Sequence, residues 1–318
     1  MRALILGGGG AIGSAIARHA DATGLEVHVG LRRGASRARL ALHPAIRCHD
    51  TDVRDTASVG HTLAMVRPDW LVMAALPAGH PAQEAQRRAF LHDMCDGVLS
   101  VLPAARMHGF EGTLTWIGSA MTYGVGGAPR HTQAPLRPQT FRGAVKAAES
   151  LLVAQLASEA GIALREVRVF TGYGPYEQRD RFVASLLRAA LTDGRVRLAP
   201  QPARRDWIHY DDIARACLAT AALPPHGPAR IFNACSGTLA DTRTVATMLE
   251  DIVGRSLIAD APYEVADAYG DVEPGVRPDP SEGLDWSPRH TLAEGLAHAW
   301  EWATTREGRD YLLSDATA

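Results

Sequence analysis

The sequence predicts an α/β fold: a doubly wound parallel (Rossmann) sheet followed by a smaller C-terminal substrate-binding part. Two observations predict it. Short β-like apolar runs alternate with helical patterns through the first half of the chain, and a glycine-rich turn separates the first run from the first helix. A chain of 318 residues with 46% apolar content can bury the cores that such a fold needs.

The first half supplies most of the predicted sheet. Apolar runs bounded by turn residues predict strands at residues 3–8, 26–31, 69–75, 112–119 and 164–170. Amphipathic segments predict helices at residues 11–24, 82–107 and 142–160. We therefore assign residues 1–170 to a dinucleotide-binding domain.

After Phe170 the pattern loosens into segments rich in proline, glycine and arginine. Helices are predicted near residues 181–193, 211–223, 241–253 and 291–305, and a strand at 230–235. Residues 171–318 are assigned to a substrate-binding part, with segment 206–236 expected to return to the main sheet.

Composition restricts the partners. A net charge of −2 gives no electrostatic support for nucleic-acid binding, and no apolar run is long enough to predict a membrane span. The 4 cysteines have no zinc-like spacing, which favours reduced thiols in a cytoplasm. The 13 histidines show no metal-binding spacing, so we expect no metal site.

The glycine-rich turn predicts a phosphate-binding loop. Gly7, Gly10 and Gly13 lie between the first strand and the first helix, where glycine lets a pyrophosphate approach the backbone amides. Ala11 and Ile12 begin that helix, so their amides are included in the predicted site.

The end of the second strand predicts which cofactor is bound. NAD-binding chains usually carry a carboxylate at this place, but here the sequence reads GLRR. Arg32 and Arg33 can grip a ribose 2′-phosphate. NADP(H) is therefore preferred, and NAD(H) stays possible.

A single lysine also stands out. Among the 33 basic residues only Lys146 is a lysine, and an ordinary surface position in such a chain would tolerate arginine. A compact, titratable ammonium has properties that a guanidinium lacks. Lys146 is therefore a candidate functional residue.

Several stretches, in order, resemble the extended short-chain dehydrogenase/reductase family, also called the NAD-dependent epimerase/dehydratase family. They are HDTDVRD, LVMAAL, IGSAMTYG, RVFTGYGP, RRDWIHYDD, FNACSG and LDWSPRHTLAEGLAHAWEW. The resemblance implies adenine contacts at Asp52 and Val53, cofactor contacts at Ala74, Ala75 and Leu76, and a catalytic hydroxyl at Ser119. It also puts Thr171, in place of the usual asparagine, and Tyr173 in the substrate-facing segment.

In that family a Tyr-x-x-x-Lys pair on one helix performs the chemistry. The resemblance implies that Lys146 holds the nicotinamide ribose and assists proton transfer. Arg142 occupies the tyrosine position four residues earlier, and a guanidinium is a poor general acid. Tyr123, Tyr173, Lys146 and Ser119 remain as candidate proton sources, while Arg142 is a candidate for polarising a carbonyl.

Three functions stay open: a keto-sugar reductase, a nucleotide-sugar epimerase, and a cofactor-binding protein without turnover. NADP(H) suits net reduction. Dehydratases of the family carry an acid pair after the catalytic hydroxyl, whereas Ala120 and Met121 follow Ser119 here. The reductase is therefore the leading prediction.

The resemblance also suggests partners. Arg205 and Arg277 are candidates for a substrate diphosphate, whereas Asp267, Asp271 and Glu273 would suit an amino-sugar or aminocyclitol. The choice between a nucleotide-sugar and an aminocyclitol substrate stays open. By analogy with family dimers, we expect a homodimer in which helices 82–107 and 142–160 pair with the same helices of a second copy.

Overall fold

The computed structural model describes residues 1–75, 81, 83–126, 128–201, 203–260 and 271–314. Leu76 and Asp267, both named above, lie outside the described residues. The strands are β1 (Arg2–Leu6), β2 (Glu26–Leu31), β3 (Arg47–Asp50), β4 (Trp70–Met73), β5 (Thr113–Ser119), β6 (Ala163–Val169), β7 (Thr171–Tyr173), β8 (Arg204–His209), β9 (Arg230–Ala234) and β10 (Leu239–Asp241). The helices are α1 (Ala11–Ala22), α2 (Thr56–Val66), α3 (Glu84–Met107), α4 (Phe141–Ala160), α5 (Phe182–Leu191), α6 (Tyr210–Ala221), α7 (Thr242–Val253), α8 (Leu292–Thr304) and α9 (Arg306–Leu313).

A 7-stranded parallel sheet organises the chain, in the order β3-β2-β1-β4-β5-β6-β9. The strand order reverses between β1 and β4, and ligands of doubly wound sheets bind in the crevice at such a reversal. This architecture confirms the fold class predicted from the sequence.

A smaller 3-stranded sheet has the order β10-β8-β7. β7 runs parallel to β8, and β10 runs antiparallel to it. Of segment 206–236, β9 pairs with β6 in the main sheet, whereas β8 is the centre of the small one.

The buried side chains of β1 show why its sequence is a continuous apolar run. Ala3 and Ile5 belong to one core, together with residues of α1 and α6. Leu4 and Leu6 belong to the core on the other face, with residues of α2, α3 and α4. Successive strand residues point to opposite faces, so a sheet covered on both faces needs apolar residues throughout. A third core is formed by the C-terminal helices.

Some elements carried too little pattern to be predicted. β3 is an edge strand with the polar sequence RCHD, and α2 contains threonine, glycine and histidine among its apolar residues. Asp55 caps α2 by accepting a hydrogen bond from the Ala57 amide. Of the helices described, none combines the length and the hydropathy that crossing a bilayer requires.

Candidate active site

The glycine-rich turn packs directly against the end of β4. Gly7 has φ 82°, and a Cβ built on it would lie 2.4 Å from Ala75 Cα. A Cβ on Gly13 would lie 2.4 Å from the Gly7 carbonyl oxygen. A side chain at Gly7 would push the turn away from the end of β4, and one at Gly13 would push α1 away from the turn, so both glycines are required by packing.

The N-terminus of α1 fits an anion. Gly10 is its N-cap, no side chain caps it, and its first turn holds no acidic residue. A Cβ on Gly10 would approach only the Gly7 carbonyl oxygen, at 3.4 Å. The amides of Ala11 and Ile12 therefore lie at an uncapped, positively polarised helix end, the arrangement that binds a pyrophosphate.

A cleft of about 570 Å³ lies beside the end of β2. Arg32 and Arg33 line this cleft, and so do Asp52 and Arg54. Within the part of the chain that the structure describes, neither Arg32 nor Arg33 has an ion-pair partner. Two exposed cations thus border the place where a dinucleotide carries its adenosine ribose.

The Asp52 carboxylate is hydrogen-bonded and ion-paired to Arg54. It accepts hydrogen bonds from Arg54 Nε at 3.0 Å and Nη2 at 2.8 Å, and these bonds lower the pKa of Asp52. Arg54 Nη1 also reaches Asp93 of α3 at 3.0 Å. Val53 packs against the second core, and the Ala74 amide donates to the Leu6 carbonyl at 2.9 Å. The residues that the resemblance assigns to the adenine are thus held by protein contacts, and their contact with an adenine ring stays a prediction.

Ser119 lies at the end of β5, beside the first turn of α4. Its Oγ accepts a hydrogen bond from the Met121 amide at 3.2 Å, and the residue is half-buried. Thr140 caps α4 through the Gly143 amide, and a Cβ on Gly143 would lie 2.7 Å from the Met121 carbonyl oxygen. The serine hydroxyl and the start of α4 are therefore held together.

Lys146 is buried, with only 4% of its surface exposed. Its Nζ donates to the Ile117 carbonyl of β5 at 3.0 Å and forms an ion pair with Glu149. Glu149 also accepts from the Trp116 indole at 3.1 Å. Two of the three N–H donors of the ammonium are thus engaged by protein groups, and a contact with a cofactor ribose stays a prediction.

Arg142 faces α3. Its guanidinium lies 5.7 Å from the Phe90 ring centroid, and Arg87 lies 5.6 Å from the ring of Phe141. The two phenylalanine rings meet edge-on at 6.3 Å. Such cation–π contacts fix the orientation of the arginines while leaving their charge intact. The first turn of α4 therefore offers a positioned cation and no phenol.

Both tyrosines proposed as proton sources are buried. Tyr123 donates from its hydroxyl to Asn233 Oδ1 at 2.9 Å, and burial raises its pKa. Tyr173 donates to the Leu292 carbonyl at 3.4 Å, and burial raises its pKa as well. Each is 1% exposed. This placement argues against proton transfer by either phenol and against a substrate contact for Tyr173.

The predicted substrate arginines flank a loop that Asp206 organises. The Asp206 carboxylate accepts from the amides of Ser236 at 2.7 Å, Gly237 at 3.0 Å and Gly275 at 3.0 Å. This brings Arg277 Nε within 3.6 Å of the Cβ position of Gly237.

Three more residues with predicted substrate contacts lie in or beside the small sheet. Arg205 is 8% exposed in β8, and Thr171 is half-buried at the start of β7. Asp271 binds Arg204 Nε at 2.8 Å, so this carboxylate is already paired.

Arg39 is a residue whose role the sequence analysis missed. It is 8% exposed, and its Nη1 donates to the Gly9 carbonyl of the glycine-rich turn at 2.9 Å. Its Nε donates to the Tyr176 carbonyl at 3.0 Å, and its guanidinium lies 5.3 Å from the Tyr311 ring centroid in α9. The one sequence signal was the apolar Leu40 after Arg39, in a stretch that otherwise resembles a loop. Leu40 is buried, and it anchors this stretch to the core.

A parallel sheet with an anion-binding glycine turn at its strand reversal defines the dinucleotide-binding class of α/β proteins. The model of the NAD dependent epimerase/dehydratase family matches residues 3–235. The chain belongs to that family.

Individual relatives span almost the whole chain. The dTDP-glucose 4,6-dehydratase of Mycobacterium tuberculosis is 29% identical over 100% of this chain and 97% of its own. The UDP-glucose 4-epimerase of Corynebacterium glutamicum is 26% identical over 98% of each. The solved structure of DesIV, a dTDP-glucose 4,6-dehydratase from Streptomyces venezuelae with NAD and TYD bound, is 25% identical over 98% of each chain, with a TM-score of 0.84.

Proposed function

We propose that this chain is an NADP(H)-dependent oxidoreductase that reduces a keto group of a sugar or sugar-like biosynthetic intermediate, either a nucleotide-sugar or an aminocyclitol. The observation that carries the proposal is the pair of arginines, Arg32 and Arg33, that lines the cleft beside β2. A 2′-phosphate between two guanidiniums forms charge-assisted hydrogen bonds that a 2′-hydroxyl cannot form.

The remaining cofactor contacts follow from the turn and the sheet ends. The amides of Ala11 and Ile12 would hold the pyrophosphate, because they lie at the uncapped start of α1. Asp52, Val53, Ala74 and Ala75 would line the adenosine half. The bound cofactor supplies the hydride in this class of enzyme.

The residues of α4 and β5 would act on the substrate carbonyl. Ser119 can donate its hydroxyl hydrogen to the carbonyl oxygen, because its Oγ accepts from the Met121 amide and donates to no group among the described residues. Arg142 adds a fixed positive charge that stabilises negative charge developing on that oxygen. Ser119 passes its hydroxyl proton to that oxygen and takes a replacement proton from solvent water, and the buried phenols of Tyr123 and Tyr173 take no part.

A substrate diphosphate would bind beside the loop that Asp206 organises. Arg205 and Arg277 both adjoin the loop that Asp206 organises, and guanidiniums match phosphate geometry. Asp271 is one of the carboxylates that would bind the amine of an aminocyclitol, but it is already paired with Arg204. We therefore favour the nucleotide-sugar over the aminocyclitol.

Titration with NADPH and with NADH, followed by nicotinamide fluorescence, tests the cofactor proposal. The double variant Arg32→Ser/Arg33→Ser should lose at least tenfold in affinity for NADPH and little for NADH. Arg37→Ser is the matched control, since Arg37 is an exposed arginine of the same loop that faces Asp50 at 3.9 Å. Tighter binding of NADH by the unaltered protein would overturn the role of the two arginines.

A second candidate is a cofactor-binding protein without turnover. The burial of Lys146 favours it, since the ammonium is already engaged by the Glu149 carboxylate and the Ile117 carbonyl. Oxidation of NADPH with a panel of keto-sugars separates the two candidates. In the enzyme, Ser119→Ala should lower kcat by about a hundredfold. Arg142→Tyr introduces the tyrosine that serves as proton donor in the family, and it tests whether a phenol at this position supports turnover. Absence of turnover together with tight NADPH binding would support the binding protein.

An epimerase is the third candidate, because one of the relatives is named as such. It would interconvert two sugar isomers with no net consumption of NADPH. Following both the sugar product and the NADPH absorbance in one reaction distinguishes it from a reductase.

We propose a homodimer in the cytoplasm. Four leucines on the outer faces of α3 and α4 are 40% to 64% exposed: Leu91, Leu99, Leu151 and Leu152. A row of this kind is suited to pairing with a second copy. The 4 cysteines are free thiols in the structure, which suits a reducing compartment.

A further inference from the structure

Four side chains from two distant stretches of the sequence meet where β8 joins α6. His209 ends β8, Asp211 lies in the first turn of α6, and His290 and His298 belong to the segment that includes α8. Among the described residues, one donor atom from each lies within 4.8 Å of the other three. None of the four lines the cofactor cleft beside β2.

The distances approach those of a metal site. His209 Nε2 lies 3.3 Å from His298 Nδ1, and two nitrogens bound to one tetrahedral zinc ion at about 2.0 Å lie about 3.3 Å apart. Asp211 Oδ2 lies 3.9 Å from His298 Nδ1. The rings of His209 and His290 are 4.3 Å apart between centroids. Small side-chain rotations would therefore bring the donor atoms to one point.

A buried carboxylate fixes one of the rings. His290 Nδ1 donates to Asp212 Oδ2 at 3.0 Å, which leaves the lone pair of its Nε2 available. Asp212 has no exposed side-chain surface, and it is held by the Arg289 amide at 2.8 Å and by Arg215 Nη1 at 2.7 Å. A carboxylate behind a histidine is the usual way in which proteins orient a metal ligand.

We propose that His209, His290 and His298, with Asp211, bind one divalent transition-metal cation of the zinc type. Imidazole nitrogens with one carboxylate suit this class of ion better than magnesium or calcium. Ligation at His209 Nε2 requires the ring proton to lie on Nδ1, which now accepts a hydrogen bond from the Asp211 amide at 3.2 Å. Binding of the ion at Nε2 would therefore give up that hydrogen bond, in exchange for the bonds of His209 and of the Asp211 carboxylate to the ion.

The proposed ion would act as a structural link. Its ligands come from the β8–α6 junction and from α8 with the segment before it, so it would fasten the C-terminal helices to the main sheet domain. A ligand that binds only the folded state raises the melting temperature as its concentration rises. The ion should therefore stabilise the chain in the absence of any cofactor.

Calorimetric titration of the full chain, without a histidine tag and stripped of metal, with zinc chloride tests the proposal. We expect one zinc ion per chain and a higher Tm. His298→Asn should weaken zinc binding at least tenfold and abolish the Tm shift. The matched control is His61→Asn, an exposed histidine of another helix, which should bind zinc like the unaltered chain.

Two results would overturn the proposal. One is less than one zinc ion per chain at saturation. The other is unchanged zinc affinity in both His298→Asn and His290→Asn, with circular dichroism showing that these variants are folded. Cobalt substitution gives an independent readout, because a tetrahedral site produces visible absorption bands that His298→Asn should remove.

Discussion

At the scale of single residues, the buried Lys146–Glu149 ion pair determines how a substitution of Lys146 affects both stability and activity. Both side chains are about 5% exposed, and removing one partner of a buried ion pair leaves the other charge without compensation. A loss of activity after substitution of Lys146 would therefore mix a folding defect with any chemical role.

We predict that Lys146→Met lowers the free energy of unfolding by about 3–5 kcal/mol. The double variant Lys146→Met/Glu149→Gln should recover most of this loss, because no charge then remains buried and the new side-chain amide oxygen still accepts the hydrogen bond of the Trp116 indole. Urea unfolding of both variants measures the coupling. Equal instability of the two variants would contradict the prediction.

The same double variant separates folding from cofactor binding. If its NADPH affinity falls tenfold while its stability is restored, the ammonium reaches the ribose in the bound state. If its affinity matches that of the unaltered chain, the lysine serves the fold alone.

At the scale of elements, α8 packs against β7 through a position without a side chain. A Cβ on Gly295 would lie 2.1 Å from the Tyr173 hydroxyl oxygen. The helix can therefore approach the strand this closely only with glycine at that place.

We predict that Gly295→Ala costs about 1–3 kcal/mol of stability through overpacking. Adding Tyr173→Phe removes the nearest atom and should restore part of the loss. Gly97→Ala in α3 is the matched control, because its Cβ would meet only the end of Met73, at 3.4 Å. Thermal unfolding of the variants checks this, and a neutral Gly295→Ala would refute the close approach.

At the scale of the whole molecule, the buried carboxyl of Glu177 should make stability depend on pH. Burial raises its pKa from 4.5 to about 7, despite hydrogen bonds from Arg181 and the Ala184 amide. The folded state therefore holds this proton more tightly than the unfolded state. The stabilisation is complete below pH 4.5 and is lost as the pH rises through about 7.

Glu177→Gln should remove this dependence. Between pH 4.5 and 7.5, the stability of the variant should rise relative to the unaltered chain by about 3 kcal/mol. Urea unfolding at several pH values measures the difference, with the exposed Glu301→Gln as control. Parallel pH profiles for Glu177→Gln and the unaltered chain would disprove the prediction.

The proposed dimer also belongs to this scale. Leu99→Glu/Leu151→Glu places charges on two of the exposed leucines of α3 and α4 and should convert a dimer into a monomer in sedimentation velocity. Leu42→Glu is the control, since Leu42 is 65% exposed on another surface. A monomeric unaltered chain would exclude the proposal.

The sheet was predictable because its strands are buried on both faces and carry the apolar runs that reveal them. The glycine turn was predictable for a similar reason, since Gly7 and Gly13 are imposed by local packing. β3 and α2 were not, because their sequences lack a clear period.

The site was less predictable than the fold. The burial of Tyr123 and Tyr173 depends on contacts with Asn233 and Leu292, more than a hundred residues away. The pairing of Lys146 with Glu149 had a local signal, since the residues lie three apart on one helix. The histidine cluster had none, because only the folded chain brings β8 and α8 together.

Arg39 joins the glycine-rich turn to the last helix, since it contacts Gly9, Tyr176 and Tyr311. Tyr311 in turn donates to the Tyr176 carbonyl at 3.2 Å. The order of α9 and the geometry of the glycine-rich turn, the proposed pyrophosphate site, are therefore thermodynamically linked. Removing α9 should therefore weaken dinucleotide binding at the glycine-rich turn, and a dinucleotide bound at that turn should reduce the fraction of molecules in which α9 is frayed.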